Sequence, residues 1–201
     1  MNIGVLVSGS GSNLQAIIDS IEAGVIKDSC VKVVISNRRE AYALERAKKH
    51  GIETVYLNGK EFASRDEYDK KVVEILQERG IDLVVLAGYL RWITPHFVES
   101  FKNRIVNIHP SLLPSFKGLH GIEQAFEYGV KVTGVTVHFV DETEDGGAVI
   151  LQEPVIIEEN ETLETLEEKI HKVEHKLYPK AIELFRSGKL IMTGRKVKIE
   201  E

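Results

Sequence analysis

Cysteine is nearly absent from this sequence: Cys30 is the only one in 201 residues. No intrachain disulfide can staple the fold, which fits a reducing compartment and a buried thiol. No apolar run approaches the length of a bilayer crossing, and the N-terminus enters Ile3-Gly4-Val5-Leu6-Val7 without the basic stretch or cleavage site of a secretory leader. A cytoplasmic protein with no membrane partner is expected. Positive charge is not in excess either, since 26 Lys and Arg face 31 Asp and Glu for a net charge of −5. That balance offers no field for nucleic acid and favours small-molecule partners. No internal repeat, low-complexity stretch or Pro/Gly/Ser linker interrupts the chain, so a single domain over 1–201 is expected.

What the chain does contain is a regular alternation of short apolar runs and amphipathic stretches. Strands are expected over 2–8, 31–36, 53–57, 82–87 and the run beginning at Ile105. Between them lie helices after Asn13, over 40–50, from Ser64 to Gly80 and near 95–101, the second closed by Gly51 and the third opened by a Ser64/Glu67 capping box. This order predicts a doubly wound, mostly parallel α/β sheet with helices on both faces. The rhythm then changes. A short helix over 121–128 precedes two strands, 133–140 and 148–157, whose connection D-E-T-E-D-G-G should form an antiparallel hairpin with Gly146 and Gly147 at positive φ. A long helix over 162–186 carries Leu163, Leu166, Ile170, Val173, Leu177, Ala181 and Phe185 as its apolar stripe, with Pro179 expected to bend it. The tail, 190–199, suits a short edge ribbon.

The chemistry concentrates in R-I-V-N-I-H-P-S-L-L-P, residues 104–114. Strand alternation puts Asn107 and His109 on one face, and Pro110 ends the ladder, so His109 stands at the carboxyl end of its strand. Ligands bind at such ends in open α/β sheets. Asp145, before two glycines, can be aimed at His109 if the hairpin lies beside that strand; a carboxylate there fixes the ring and favours imidazolium. Asn107 adds an uncharged N–H donor for a developing oxyanion. An acid, the carboxylate that tunes it and an oxyanion donor suit acyl transfer through a tetrahedral intermediate. Ser111 lacks the G-x-S-x-G setting of a nucleophile, so direct attack by a bound substrate is expected.

Two further motifs need weighing. The loop G-S-G-S-N-L at 9–14 lacks a third glycine, and the second strand ends in Ser36-Asn37 where a dinucleotide site needs an acid. A nicotinamide cofactor is therefore not expected. Backbone N–H groups of Gly11, Ser12 and Asn13 at a helix start can instead hold one phosphate; an ordinary Ser or Asn cap is the alternative. His171-Lys172-Val173-Glu174-His175 matches the inverted zinc-peptidase pattern H-x-x-E-H, but no third ligand accompanies it, so a solvated helix edge, or Glu174 turned toward a ligand, is preferred to metal.

The motifs G-S-G-S-N-L-Q-A-I, L-A-G-Y-L-R-W-I, V-N-I-H-P-S-L-L-P-S-F-K-G-L-H and H-F-V-D-E-T-E-D-G-G, in this order, resemble the folate-dependent formyltransferases across nearly the whole chain. G-S-N-L-Q-A narrows the resemblance to the phosphoribosylglycinamide (glycinamide ribonucleotide) branch, which serves purine biosynthesis. The resemblance implies that Asn107, His109 and Asp145 are catalytic and that Gly11, Ser12 and Asn13 bind the substrate phosphate. It also implies that His171, Lys172, Val173 and Glu174 lie near glycinamide ribonucleotide, with Glu174 receiving its amine. The cosubstrate 10-formyltetrahydrofolate would face Arg65, Leu90, Arg91, Trp92, Ile93, Asn107 and the loop Asp141, Glu142, Thr143, Glu144 and Asp145, and no metal is implied. The tRNA-directed formyltransferases and the formyltetrahydrofolate hydrolases, the nearest rivals, carry additional domains for which this chain has no room. A non-catalytic phosphometabolite-binding protein would not need the Asn–His–Asp set. Monomer and homodimer both remain open. Two positions depart from the family pattern: Lys117 stands where proline usually precedes G-L-H, and Ala148 where proline often follows D-G-G, which bears on loop rigidity.

Overall fold

A computed structural model describes residues 1–200. The chain separates into two compact units, the first ending at Val106 and the second starting at Asn107. Strand β5 (Ile105–His109) crosses that boundary along the chain.

In the first unit, β1 (Asn2–Val7) pairs in parallel with β2 (Cys30–Ser36) on one side and β4 (Leu83–Leu86) on the other, and β2 pairs in parallel with β3 (Glu53–Tyr56). The order β3-β2-β1-β4 places the first strand inside the sheet. Ile3, Val5, Leu6, Val7 and all four residues of β4 are buried, as strands covered on both faces must be. Each such side chain contributes about 1.5–3 kcal/mol of burial, so this sheet is a rigid base for the loops at its carboxyl ends. Helices α1 (Ser12–Glu22), α2 (Tyr42–Lys49), α3 (Arg65–Glu78) and α4 (Pro95–Ser100) connect the strands. The start of α3 differs from a full capping box: Ser64 Oγ accepts the Glu67 N–H at 3.1 Å, but the Glu67 carboxylate reaches back to the N–H of Ala63, not of Ser64.

In the second unit, α5 (Gly121–Tyr128) leads into β6 (Val132–Phe139) and β7 (Val149–Ile156), which pair antiparallel as the expected hairpin. Its connection is built differently from the expectation. Asp145, at φ 44°, takes the left-handed conformation, and neither Gly146 nor Gly147 does. The glycines are needed for space: a Cβ on Gly146 would lie 1.9 Å from Thr143 Oγ1, and one on Gly147 1.8 Å from the Phe139 carbonyl oxygen. Helix α6 (Leu163–Arg186) runs through Pro179 as one element and starts with a Thr162/Thr165 capping box. Its buried stripe departs from the predicted one, since Val173 is only half-buried while Glu174 is buried with Leu166, Ile170 and Leu177. The tail forms the antiparallel ribbon β8 (Leu190–Thr193) and β9 (Lys196–Ile199). With parallel strands first and antiparallel hairpins after β5, the architecture is the mostly parallel α/β class read from the sequence. No helix among the described residues is long and apolar enough to cross a membrane.

Candidate active site

Asn107 and His109 do share a face of β5, the first half-buried and the second 4% exposed. After the strand the chain turns sharply, and the Ser111 and Leu113 backbone is fastened to β6. Thr136 Oγ1 donates to the Ser111 carbonyl at 2.6 Å and accepts the Leu113 N–H at 3.1 Å. Ser111 itself donates to the Ser115 carbonyl at 2.5 Å, so its hydroxyl is committed to the turn. The turn brings the Phe116 carbonyl to His109 Nε2 at 2.7 Å. A carbonyl can only accept, so Nε2 carries a proton.

The other ring nitrogen of His109, Nδ1, lies 3.5 Å from Asp145 Oδ2. With Nε2–H already fixed, only the doubly protonated ring offers that carboxylate a proton. Asp145 also accepts the Gly118 N–H at 2.8 Å. Burial acts to raise the Asp145 carboxyl pKa, but His138, the Gly118 N–H and the positive charge available on His109 outweigh it, and the net shift is below the ordinary value. Asp145 is therefore a carboxylate throughout the neutral range.

His138 is the participant that sequence reading missed. It is 2% exposed; its Nδ1 donates to the Phe139 carbonyl at 2.7 Å, leaving Nε2 facing Asp145 Oδ1 at 3.7 Å and the Asn107 side-chain Nδ2 at 3.3 Å. In its neutral form Nε2 can accept from Asn107, which aims the amide. The available signal was a histidine two residues after Thr136, near the end of a strand that leads into the acidic loop starting at Asp141.

The remaining predicted residues fall on separate elements. Within the first unit, Gly11 caps α1 at φ 74° without a side-chain cap, and a Cβ there would come within 2.6 Å of Ala43 Cβ. The Ser or Asn cap is thus not what is built; Ser12 and Asn13 form the first turn, and the loop before them is held by Arg46 Nε donating to the Ser10 carbonyl at 2.9 Å. Arg65 is exposed at the start of α3. Leu90 to Ile93 lie in an irregular segment after β4, with Leu90 and Trp92 about half exposed. The Arg91 guanidinium is stacked over the Tyr68 ring, 4.0 Å from its centroid.

Within the second unit, Asp141 to Glu144 are exposed, and Asp141 Oδ1 caps its own turn by accepting from Thr143 N at 2.8 Å and Thr143 Oγ1 at 2.6 Å. Lys117 Nζ donates to the Glu144 carbonyl at 3.1 Å, a tie that proline could not make. Ala148 is buried. On α6, His171 and Lys172 are exposed, and His171 Nδ1 lies 3.0 Å from the buried Glu174 Oε2. The Glu174 hydrogen bond raises the His171 pKa, against some loss from burial. The His171 and His175 rings stack at 6.3 Å. Among the described residues no group of three or more His, Cys, Asp or Glu is arranged to hold a metal ion.

Comparison with known proteins gives the family of this chain. A family model described as formyl transferase matches residues 1–182. The chain belongs to the formyl transferase family. Phosphoribosylglycinamide formyltransferase of Escherichia coli (strain K12) is 44% identical over 192 residues, covering 96% of this chain and 90% of that protein. The trifunctional purine biosynthetic protein adenosine-3 of Homo sapiens is 45% identical over 186 residues. That match takes in 92% of this chain but only 18% of the human protein, so the chain spans less than a fifth of such multifunctional relatives. Among solved structures, glycinamide ribonucleotide transformylase 1 from Symbiobacterium toebii superposes with a TM-score of 0.97 at 48% identity, covering all of this chain and 94% of that one. The formyl transferase match runs through both compact units.

Proposed function

We propose that this enzyme transfers the formyl group of 10-formyltetrahydrofolate to the amine of glycinamide ribonucleotide, in the cytoplasm, as a step of purine biosynthesis, and that residues 1–201 act as one formyltransferase domain. The observation that carries the reading is the network of Asn107, His109, His138 and Asp145, in which one ionised carboxylate faces both histidines and His138 in turn faces the Asn107 amide. The Escherichia coli relative, 90% of which this chain covers, is a phosphoribosylglycinamide formyltransferase, which supports the reading.

In the proposed reaction the neutral amine attacks the formyl carbon, forming the new C–N bond and pushing the carbonyl electron pair onto oxygen. The Asn107 N–H and the His109 Nε2–H stabilise that oxyanion. The formyl oxygen takes over the Nε2–H bond that the Phe116 carbonyl holds in this structure. As the intermediate collapses, the bond to folate N10 breaks, the amine loses a proton and N10 gains one, with imidazolium as the shuttle. Asp145 stays ionised and supplies charge. The N–H groups of Gly11, Ser12 and Asn13 hold the ribonucleotide phosphate and Glu174 receives its amine. Arg65, Leu90 to Ile93 and Asp141 to Asp145 serve the folate.

Ultraviolet absorbance during incubation with 10-formyltetrahydrofolate tests this. Consumption only when glycinamide ribonucleotide is added supports the transferase. Equal consumption without it would make the protein a hydrolase, and none in either case would leave a binding protein.

A further inference from the structure

The irregular segment between β4 and α4 has no ladder of its own, yet both of its ends are fixed by buried polar side chains distant in sequence. At its start the Leu90 N–H donates to Ser8 Oγ at 2.8 Å, and Ser8 Oγ donates in turn to Asn37 Oδ1 at 2.6 Å. Ser8 is 1% exposed and directly follows β1 at the root of the glycine loop. At the far end the Thr94 N–H donates to Asp69 Oδ2 at 2.6 Å, and Asp69, on α3, is also 1% exposed. Just before Leu90, Tyr89 Oη donates to Tyr68 Oη at 3.3 Å, and between the two ends Arg91 lies over the Tyr68 ring.

These contacts tie the Leu90 and Thr94 backbone N–H groups to buried side chains of other elements. Burial drives the Asp69 carboxyl pKa upward against the opposing effects of the Thr94 N–H, Arg91 and Arg65; a buried carboxylate is tolerated where several donors and charges converge on it. The Ser8 side chain is not part of the sheet ladder, since β1 ends at Val7, and Asp69 is not the cap of its own helix, which Ser64 caps; the Thr94 it holds is the N-cap residue of α4 and the end of the segment. Their polarity is accounted for by the segment they hold.

We infer that Ser8 and Asp69 are positioning residues for the folate cosubstrate, clamping the two ends of Leu90–Thr94 so that its exposed middle meets the ligand in a fixed shape. This rests on the reading that Leu90 to Ile93 face 10-formyltetrahydrofolate. The role is that of a support: neither side chain is assigned a contact with the reacting atoms.

Trp92 is the only tryptophan in the chain and sits about half exposed inside the clamped segment, so its emission reports on the segment directly. Binding of 10-formyltetrahydrofolate without ribonucleotide should be followed through Trp92 emission, alongside Trp92 anisotropy, in the wild type and in Ser8→Ala, Asp69→Leu and Asp69→Asn. Ser8→Ala and Asp69→Leu each leave a backbone N–H without its acceptor, and the folate Kd should rise roughly tenfold with a fall in Trp92 anisotropy. Asp69→Asn keeps an oxygen of the same shape and should restore most of the affinity. Ribonucleotide Kd should stay within about twofold in all of them.

Wild-type emission that responds to folate, with unchanged folate Kd in both Ser8→Ala and Asp69→Leu, would overturn the clamp and leave the folate reading standing. Equal weakening of folate and ribonucleotide, with no rescue by Asp69→Asn, would show general structural damage and also overturn it. A wild-type Trp92 that ignores saturating folate would remove the folate assignment of the segment and the inference with it.

Discussion

The turn after β1 and the turn after β5 both end a strand, but they are made of opposite materials. The glycine loop before α1 offers backbone N–H groups and space, with no ionised side chain in Gly9–Asn13. The turn after His109 offers side chains: a buried imidazole between a carbonyl and a carboxylate, with a second histidine and an amide completing the network. A backbone-built site has its geometry from the fold, so damage to it should appear as lost stability and binding together. A side-chain-built site can lose its charge while its shape survives, and damage should appear in turnover.

The largest effect is expected where that separation is cleanest. Asp145→Asn keeps the shape of the carboxylate and removes its charge, so turnover should fall on the order of 10²-fold or more while the melting temperature changes little. His109→Asn should be at least as damaging. The double variant should lose far less than the product of the two, because the pair acts as a unit; multiplicative losses in steady-state kinetics would break the network. The pH dependence has a definite sign. Because the folded carboxyl value lies below the ordinary one, what Asp145 contributes is complete above the ordinary carboxylate range and is lost as pH falls through the lowered value.

The glycine loop should behave in the other way. Gly11→Val forces a β-branched residue to φ 74° and drives its Cβ against Ala43, which should cost about 2 kcal/mol in urea unfolding as well as weakening ribonucleotide binding. Ser12→Ala keeps every backbone N–H and removes only a hydroxyl that can also bond the phosphate, so it should raise the ribonucleotide KM modestly and leave stability unchanged. A Gly11→Val protein of wild-type stability would show that the close approach to α2 is not as described.

A smaller effect should come from Glu174→Gln, with a roughly tenfold rise in ribonucleotide KM and little change in folate binding. The raised His171 value should also fall back toward that of an ordinary histidine, because the Glu174 carboxylate is the main cause of the shift. NMR titration of His171 checks this, and stoichiometric zinc with chelator-sensitive activity would instead revive the metal reading. The smallest effect belongs to Lys117→Ala, which removes one exposed hydrogen bond to Glu144. Its cost should not exceed about 0.5 kcal/mol, measured by thermal unfolding.

Most of the fold was legible because its signals are local. Apolar runs, glycine stops and helical spacing placed the strands and α-helices within a few residues, and left out only the short 3-10 turn Gly59–Glu61. What escaped depends on contacts between distant parts of the chain. The residue at positive φ in the hairpin is Asp145 and not a glycine because Gly146 and Gly147 are reserved for close packing against Thr143 and Phe139. Glu174 is more buried than Val173 although helical periodicity favours the valine, since its carboxylate has a partner in His171. That Asn107 and His109 share a strand face and that Asp145 reaches His109 was readable from strand alternation and the loop glycines. His138 was not singled out, because a histidine in an apolar strand has many uses until its neighbours are known.

The left-handed turn at Asp145 also bears on how long the enzyme lasts. Asp145-Gly146 is an aspartyl-glycine pair, the dipeptide in which a side-chain carboxyl most readily closes on the following amide nitrogen and reopens as isoaspartate. That ageing reaction would lengthen the main chain by one carbon and withdraw the carboxylate from His109. Here the Gly146 N–H is engaged by the Thr143 carbonyl at 3.2 Å and the Asp145 carboxylate by the Gly118 N–H at 2.8 Å, so both groups that the reaction would join are already committed. The Gly118 bond that holds the carboxylate beside His109 therefore also slows its chemical wear.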